Sequence, residues 1–354
     1  MHPTYSRICA KYLSIGCLGV FLMVVRGRAE QNFSAYLKTE AGLETNILES
    51  DSASRDSYTT PVWSGLTYRL TTKRLILNGN ATGGLIPYTD YSAENKASVA
   101  LSVYGDYTFC RSFFATTAVN IFNKWWCKDS RGYFNSDWYG GFGFRMKNCV
   151  PVVSLILGQN SYRGMRFFND RQTGGQAKIT FLIAPGLTLS SQAGYLMINY
   201  LNRRIYRPNY AGSDRLPFQC DELGYWQVGL ESRRLALSGL NLKMIRVRSN
   251  NDFSEYSGAS VNYYYSRKIG SCYLQLIADV LLKKYAVDLS RYYLYYNPDP
   301  EQNIQNQLLI GWEWPFWRKL AFSGRAAVMR NETHFSGLYY DKWFLSFGLL
   351  YRVE

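Results

Sequence analysis

Few residues of this 354-residue chain have the types and spacing that chemistry needs. A hydroxyl or thiol nucleophile requires a base beside it. The chain has two histidines, His2 and His334. His334, in Asn331-Glu332-Thr333-His334, has no identifiable nucleophile to serve, and Glu332 with His334 lacks the further ligands of a metal site. Cys9, Cys17, Cys110, Cys127, Cys149, Cys220 and Cys272 are scattered without C-x-x-C spacing, which argues against a zinc site or a disulfide framework. Gly140-Gly141-x-Gly143 lies within a run of alternating polarity, where small residues relieve crowding and do not cradle a phosphate. These features predict no enzyme, no cofactor and no metal. The remaining chemistry belongs to charged side chains recurring at every second position.

That recurrence identifies the elements. From Ala97 to Phe109 the odd positions are Ala97, Val99, Leu101, Val103, Gly105, Tyr107 and Phe109, and the intervening ones include Ser98, Ser102, Tyr104, Asp106 and Thr108. Successive side chains of a strand point to opposite faces, so one face is apolar and the other polar. Phe33, Ala35, Leu37, Thr39, Ala41 and Leu43 alternate in the same way with Ser34, Tyr36, Lys38, Glu40, Gly42 and Glu44. Trp343, Leu345, Phe347, Leu349, Tyr351 and Val353 share one parity at the other end. No comparable stretch carries a helical stripe. Short turns such as Thr72-Lys73-Arg74, Cys110-Arg111-Ser112, Pro185-Gly186 and Arg233-Arg234 alternate with longer polar segments at 47–59, 127–137, 202–222 and 288–303. The pattern predicts an all-β, transmembrane, antiparallel up-and-down barrel of about sixteen strands, with fourteen as the alternative count. The strands fall at 32–45, 60–70, 74–88, 96–110, 113–126, 137–148, 150–162, 175–184, 187–199, 223–233, 235–248, 257–267, 271–284, 304–314, 320–330 and 341–353.

The segment 1–29 is set apart from the rest. Arg7, Lys11, Arg26 and Arg28 flank a thirteen-residue apolar run from Leu13 to Val25, and Gly27-Arg28-Ala29 follows. This layout predicts a secretory signal cleaved after Ala29, with residues 30–354 as one barrel domain. Cleavage lowers the net charge from +14 to +10 by removing those four basic residues. A pI near 9.4 with 16% aromatic residues raises the thought of nucleic acid, but an exported barrel does not meet that partner.

Strand parity assigns the charges. The lumen is predicted to hold Lys38, Arg69, Lys124, Arg145, Lys147, Lys178, Arg233, Lys243, Lys283 and Arg325. Acids of the same parity are Glu40, Glu44, Asp106, Glu231, Asp279 and Glu313. Either these charges pair across strands and fill the interior, or they line a pore with a mild preference for anionic solutes. Outside the wall, Arg203, Arg204 and Arg207 are placed to meet lipopolysaccharide headgroups. Tyr292, Tyr293, Tyr295 and Tyr296 are placed to stack on a sugar-like ligand.

The last strand, Ser346-Phe347-Gly348-Leu349-Leu350-Tyr351-Arg352-Val353, resembles the terminal β-signal of Gram-negative outer-membrane proteins. Ser346, Gly348, Tyr351 and Val353 stand at its defining positions; Val353 replaces the usual final aromatic, and Glu354 follows. The resemblance implies an outer-membrane location, periplasmic chaperones in transit and recognition by the barrel-assembly machinery. Ala41-Gly42-Leu43-Glu44-Thr45-Asn46-Ile47, with the closing strand, also resembles barrel domains of the surface-lipoprotein-assembly-modifier type, whose helical repeat domain is absent here. The expected function is porin-like passage of small polar, preferentially anionic solutes. The alternatives are a non-conducting barrel whose loops bind polysaccharide, lipopolysaccharide or another cell, and a soluble secreted β-protein.

Overall fold

The computed structural model describes residues 30–45, 55–128, 132–163, 166–205, 217–251, 254–286, 306–331 and 340–353. The expected signal segment, Arg207, the tyrosines at 292–296 and His334 lie outside the described residues.

The chain folds as β1 (Glu30–Glu44), β2 (Ser57–Thr59), β3 (Val62–Thr71), β4 (Leu75–Ile86), β5 (Lys96–Thr108), β6 (Phe113–Trp126), β7 (Gly132–Phe144), β8 (Cys149–Arg163) and β9 (Asp170–Ala184). It continues as β10 (Leu187–Arg204), β11 (Phe218–Ser232), β12 (Leu237–Ser249), β13 (Tyr256–Ile269), β14 (Cys272–Tyr285), β15 (Asn306–Trp317), β16 (Leu320–Asn331) and β17 (Tyr340–Val353). β2 and β3 share one place in the wall, both pairing with β1 across an interruption at Thr60-Pro61. Seventeen strands therefore fill the sixteen places of a closed antiparallel barrel, as the alternation predicts. The ring closes where β1 meets β17, in unbroken register from Ala35↔Val353 to Glu44↔Phe344.

The two faces are told apart by which side chains meet across an intervening strand, since such side chains converge only on the concave side. Glu40 of β1 meets Arg325 of β16 past β17, and the Tyr225 hydroxyl of β11 donates to Gln176 of β9 past β10. That face is the lumen. The other presents Val153 and Leu155, each 65% exposed, Met244 at 63% and Leu282 at 62%. Such side chains would be costly in water but suit hydrocarbon. This apolar exterior removes the soluble β-protein reading. Toward the short-turn end, Tyr107, Phe109, Phe113 and Phe142 pack ring to ring with centroids 5.1–5.7 Å apart, and Phe316 stacks on Phe322 at 4.3 Å. They form the aromatic belt of a membrane interface.

Three strands begin five residues earlier than the polarity pattern places them. β7 starts at Gly132 instead of 137, β9 at Asp170 instead of 175, and β11 at Phe218 instead of 223. β10 also runs on to Arg204. These extensions carry Tyr133, Asn135, Asp170, Gln172, Gln219 and Asp221 on the lumen parity. A polar lumen lets hydrophilic residues continue a strand that reads as a loop.

All five described cysteines are free thiols. Cys110 and Cys272 lie at the short-turn end, whereas Cys127 follows β6 at the loop end. The backbone N–H groups of Ser112 and Phe113 hold the Cys110 thiol below its usual pKa by stabilising the thiolate. In variants keeping one cysteine, a membrane-impermeant maleimide applied to intact cells is expected to label Cys127. Cys110 and Cys272 should label only after the outer membrane is permeabilised, with Cys110 the faster near neutral pH. Labelling of Cys110 on intact cells would invert the orientation.

Candidate functional site: the inner wall and the closing seam

The closing seam carries a run of lumenal charges. Glu40 is 3% exposed and stands at the centre of the run. Arg325 binds it through Nε at 3.0 Å and also through Nη2, Lys38 Nζ lies 2.9 Å from Oε1, and the Ser346 hydroxyl donates at 3.1 Å. Three strands meet at this carboxylate: β1 supplies Lys38 and Glu40, β17 supplies Ser346, and β16 supplies Arg325. Gly348 makes room, because a Cβ there would stand 2.0 Å from the Thr39 carbonyl oxygen and 2.8 Å from the Glu40 side chain. On either side, Lys342 pairs with Glu44 at 2.5 Å, the Tyr88 hydroxyl donates to Glu44 at 2.9 Å, and Arg352 pairs with Glu313. Ser346 and Gly348 face the lumen, while Tyr351 and Val353 face outward at 42% and 36% exposure.

The wall that leads up to the seam from β11 is built differently. Across β11 to β15 an amide ladder runs from Gln227 to Asn241 (3.3 Å) and from Asn241 to Asn262 (3.3 Å). It continues from Asn262 to Asp279 and ends with Gln307 donating to Asp279 at 2.6 Å. Nearer the loops, Asp170 accepts from Asn160 and Gln172, and Asp221 accepts from Gln219 at 2.9 Å and from Ser249. Beside them lies an apolar shelf of Ile198, Tyr200, Leu223, Ile245, Val247, Tyr256 and Leu281, all on the lumen parity and nearly inaccessible.

The lumenal cations lean on aromatic rings. Lys243 lies 4.8 Å over Tyr225, Lys124 4.9 Å over Trp126, and Lys283 5.1 Å over Tyr256. Arg145 lies 4.2 Å over Phe114 and donates to Thr108 at 2.9 Å. Phe114 fits because Gly143 faces it, where a Cβ would come within 2.2 Å of the ring. Such contacts favour the cation without neutralising it. Arg69 and Lys178 stand on the same parity of β3 and β9. Among the described residues, Arg69, Lys124, Arg145, Lys178 and Lys243 have no carboxylate in ion-pair contact.

Parity thus places Lys38, Glu40, Glu44, Arg69, Asp106, Lys124, Arg145, Lys178, Glu231, Lys243, Asp279, Lys283, Glu313 and Arg325 on the lumenal side, with Asp106 bonded to the Tyr104 hydroxyl. Lys147 and Arg233 lie in turns at the barrel mouth, Arg233 pairing with Glu231 at 2.6 Å. Arg203 lies over the rings of Tyr200 and Phe168, and Arg204 over Phe218. Sequence reasoning missed Lys96, Asp137, Asp170, Asp221, Lys342 and Arg352 as lumenal charges. Lys342 and Arg352 share the parity of Ser346 and were legible; Asp170 and Asp221 stood in segments that read as loops.

No protein-family model and no curated protein sequence matches the chain. Solved structures do resemble it. A loop-deletion form of OmpT, an outer membrane protein of Vibrio cholerae, aligns over 92% of this chain and 100% of its own at 10% identity and a TM-score of 0.44. OccAB2 of Acinetobacter baumannii aligns over 91% and 98% at 7% identity and 0.43. CdiB of Acinetobacter baumannii aligns over 90% of this chain and 60% of its own at 9% identity and 0.45. Likenesses this distant do not bear on activity.

Removing Glu40 leaves Arg325 and Lys38 facing each other without their shared carboxylate. Losing one partner of a buried pair costs about 3–5 kcal/mol. Glu40→Ala is therefore expected to lower the urea unfolding midpoint of the purified barrel markedly. The exchange Glu40→Arg with Arg325→Glu should recover part of the loss. Equal stability of Glu40→Ala and the parent chain would remove the seam role.

Proposed function

We propose that the chain forms an outer-membrane channel passing small polar solutes, with a preference for anions and without catalysis. The observation that supports this reading is the asymmetry of the inner wall. Its described acids largely accept bonds from protein donors, as Glu40, Glu44, Asp170, Asp221, Asp279 and Glu313 do. Arg69, Lys124, Arg145, Lys178 and Lys243 lack carboxylate partners among the described residues, so these cations are more available to a solute than the acids that protein donors engage. Aromatic faces beneath several of these cations suit solutes with flat or ring-shaped parts.

A second reading, a barrel that does not conduct, is favoured by one feature. The apolar shelf around Ile198, Leu223 and Val247 is covered, although it faces the lumen. That sector is therefore not an open wet wall.

Planar-bilayer recording of the purified chain under a KCl gradient separates the two. The expected result is discrete steps with a reversal potential favouring chloride. The triple substitution Lys124→Ala, Lys178→Ala and Lys243→Ala should bring the chloride-to-potassium ratio close to one. A folded, heat-modifiable barrel that stays silent would sink the channel reading in favour of the second.

A further inference from the structure

The outer face departs from apolar character at one place that has the form of a site. On β12, β13 and β14, Arg246, Ser257 and Lys284 stand in one register row, Arg246↔Ser257 and Ser257↔Lys284, all on the outward parity and all exposed. Arg246 and Lys284 are two strand spacings apart, about 10 Å between backbones, with the small hydroxyl of Ser257 between them. Neither cation has an ion-pair partner among the described residues. On the far side of Arg246 lies Gly224, where an added Cβ would meet nothing within 4 Å. Arg246 is therefore uncrowded by its β11 neighbour, and the small Ser257 leaves the space between the two cations open.

The next row toward the membrane centre is Met244↔Ala259↔Leu282, and below it Leu242↔Val261↔Val280. The first of these places a small residue between two large, exposed apolar ones. Ser257 and Ala259 thus floor a groove along β13, walled by Arg246 and Met244 on one side and by Lys284 and Leu282 on the other. Cations cap this groove at the loop end, and apolar side chains line it below. One acid lies near: Glu222 is paired in register with Arg248, one step closer to the loops, and is bonded to the Tyr195 hydroxyl. It makes no ion pair with Arg246 or Lys284, which both face outward.

We propose that this groove binds a phosphate-bearing lipid of the outer leaflet. The phosphate would lie between Arg246, Lys284 and the Ser257 hydroxyl, and an acyl chain would run over Ala259. The chemistry fits both ends of such a molecule. A phosphate takes charge-assisted hydrogen bonds from arginine, lysine and a hydroxyl, and an alkyl chain covers apolar surface below. The loops of such barrels face outward, so the site lies at the headgroup level of the outer leaflet. The proposal stands whether or not the lumen conducts.

Native mass spectrometry of the delipidated full chain in detergent tests it. The probes are a bisphosphorylated glycolipid, the same lipid with its phosphates removed, and inorganic phosphate. The phosphorylated lipid is expected to bind the parent chain roughly tenfold or more tightly than the Arg246→Ala/Lys284→Ala variant. Ser257→Leu, which keeps both charges but fills the groove, should weaken it as well. The dephosphorylated lipid should not distinguish the chains, and inorganic phosphate should show no resolved binding. Heat-modifiable migration confirms that each variant is folded. Equal affinity of the parent and double variant overturns the proposal. So does an equal loss in Arg163→Ala/Arg171→Ala, which removes two outward cations from β8 and β9. Inorganic phosphate bound as tightly as the lipid would also overturn it.

Discussion

The structure depends on pairing the first strand with the last. Within a bilayer no water is available to backbone N–H and C=O groups, so a sheet survives there only if it has no edge. Paired residues of β1 and β17 lie 300 or more positions apart along the chain, and their in-register pairing satisfies both edges at once. Every other pair is joined by a local connection. The seam alone must be found at long range, so its register needs a specific signal.

Glu40 supplies that signal in side-chain form. A slip of one residue would turn the lumenal set outward into lipid. A slip of two would keep the faces but move Glu40 off the gap left by Gly348. Arg325 reaches Glu40 from the strand beyond, so the correct register ties β16, β17 and β1 together. Two of the four terminal-signal residues are therefore parts of the seam, and Tyr351 and Val353 belong to the outer surface. The same short segment that resembles an assembly signal also carries a physical means of closing the sheet.

The lumen is divided by this arrangement. The seam holds ion pairs that saturate one another, and the strands from β9 to β15 hold amides, buried carboxylates and an apolar shelf. On β6, β12 and β14 and just beyond β7, lysines and an arginine rest on tyrosine, tryptophan and phenylalanine rings. The tyrosine-rich composition thereby acquires a use: rings fill space, tolerate water at the hydroxyl and hold cations without neutralising them.

The alternation at residues 97–109 and 341–353 made the faces, the strand type and many of the wall charges legible. Period two is a local property that survives in one dimension. Strand ends were not legible where the lumen is polar, as at Tyr133, Asp170 and Gln219, because hydrophilicity is the mark of both a loop and an inner wall. Pairing was not legible either. Parity put Lys38, Glu40 and Arg325 on one face, but only closure brought Arg325 within reach of Glu40. The outer row of Arg246, Ser257 and Lys284 likewise needed the register of three strands to become a site. Which residues face lipid and which face the lumen was already written in the chain, because alternation belongs to each strand alone. Which residues touch was decided by the tertiary structure, because contacts between strands depend on register and closure.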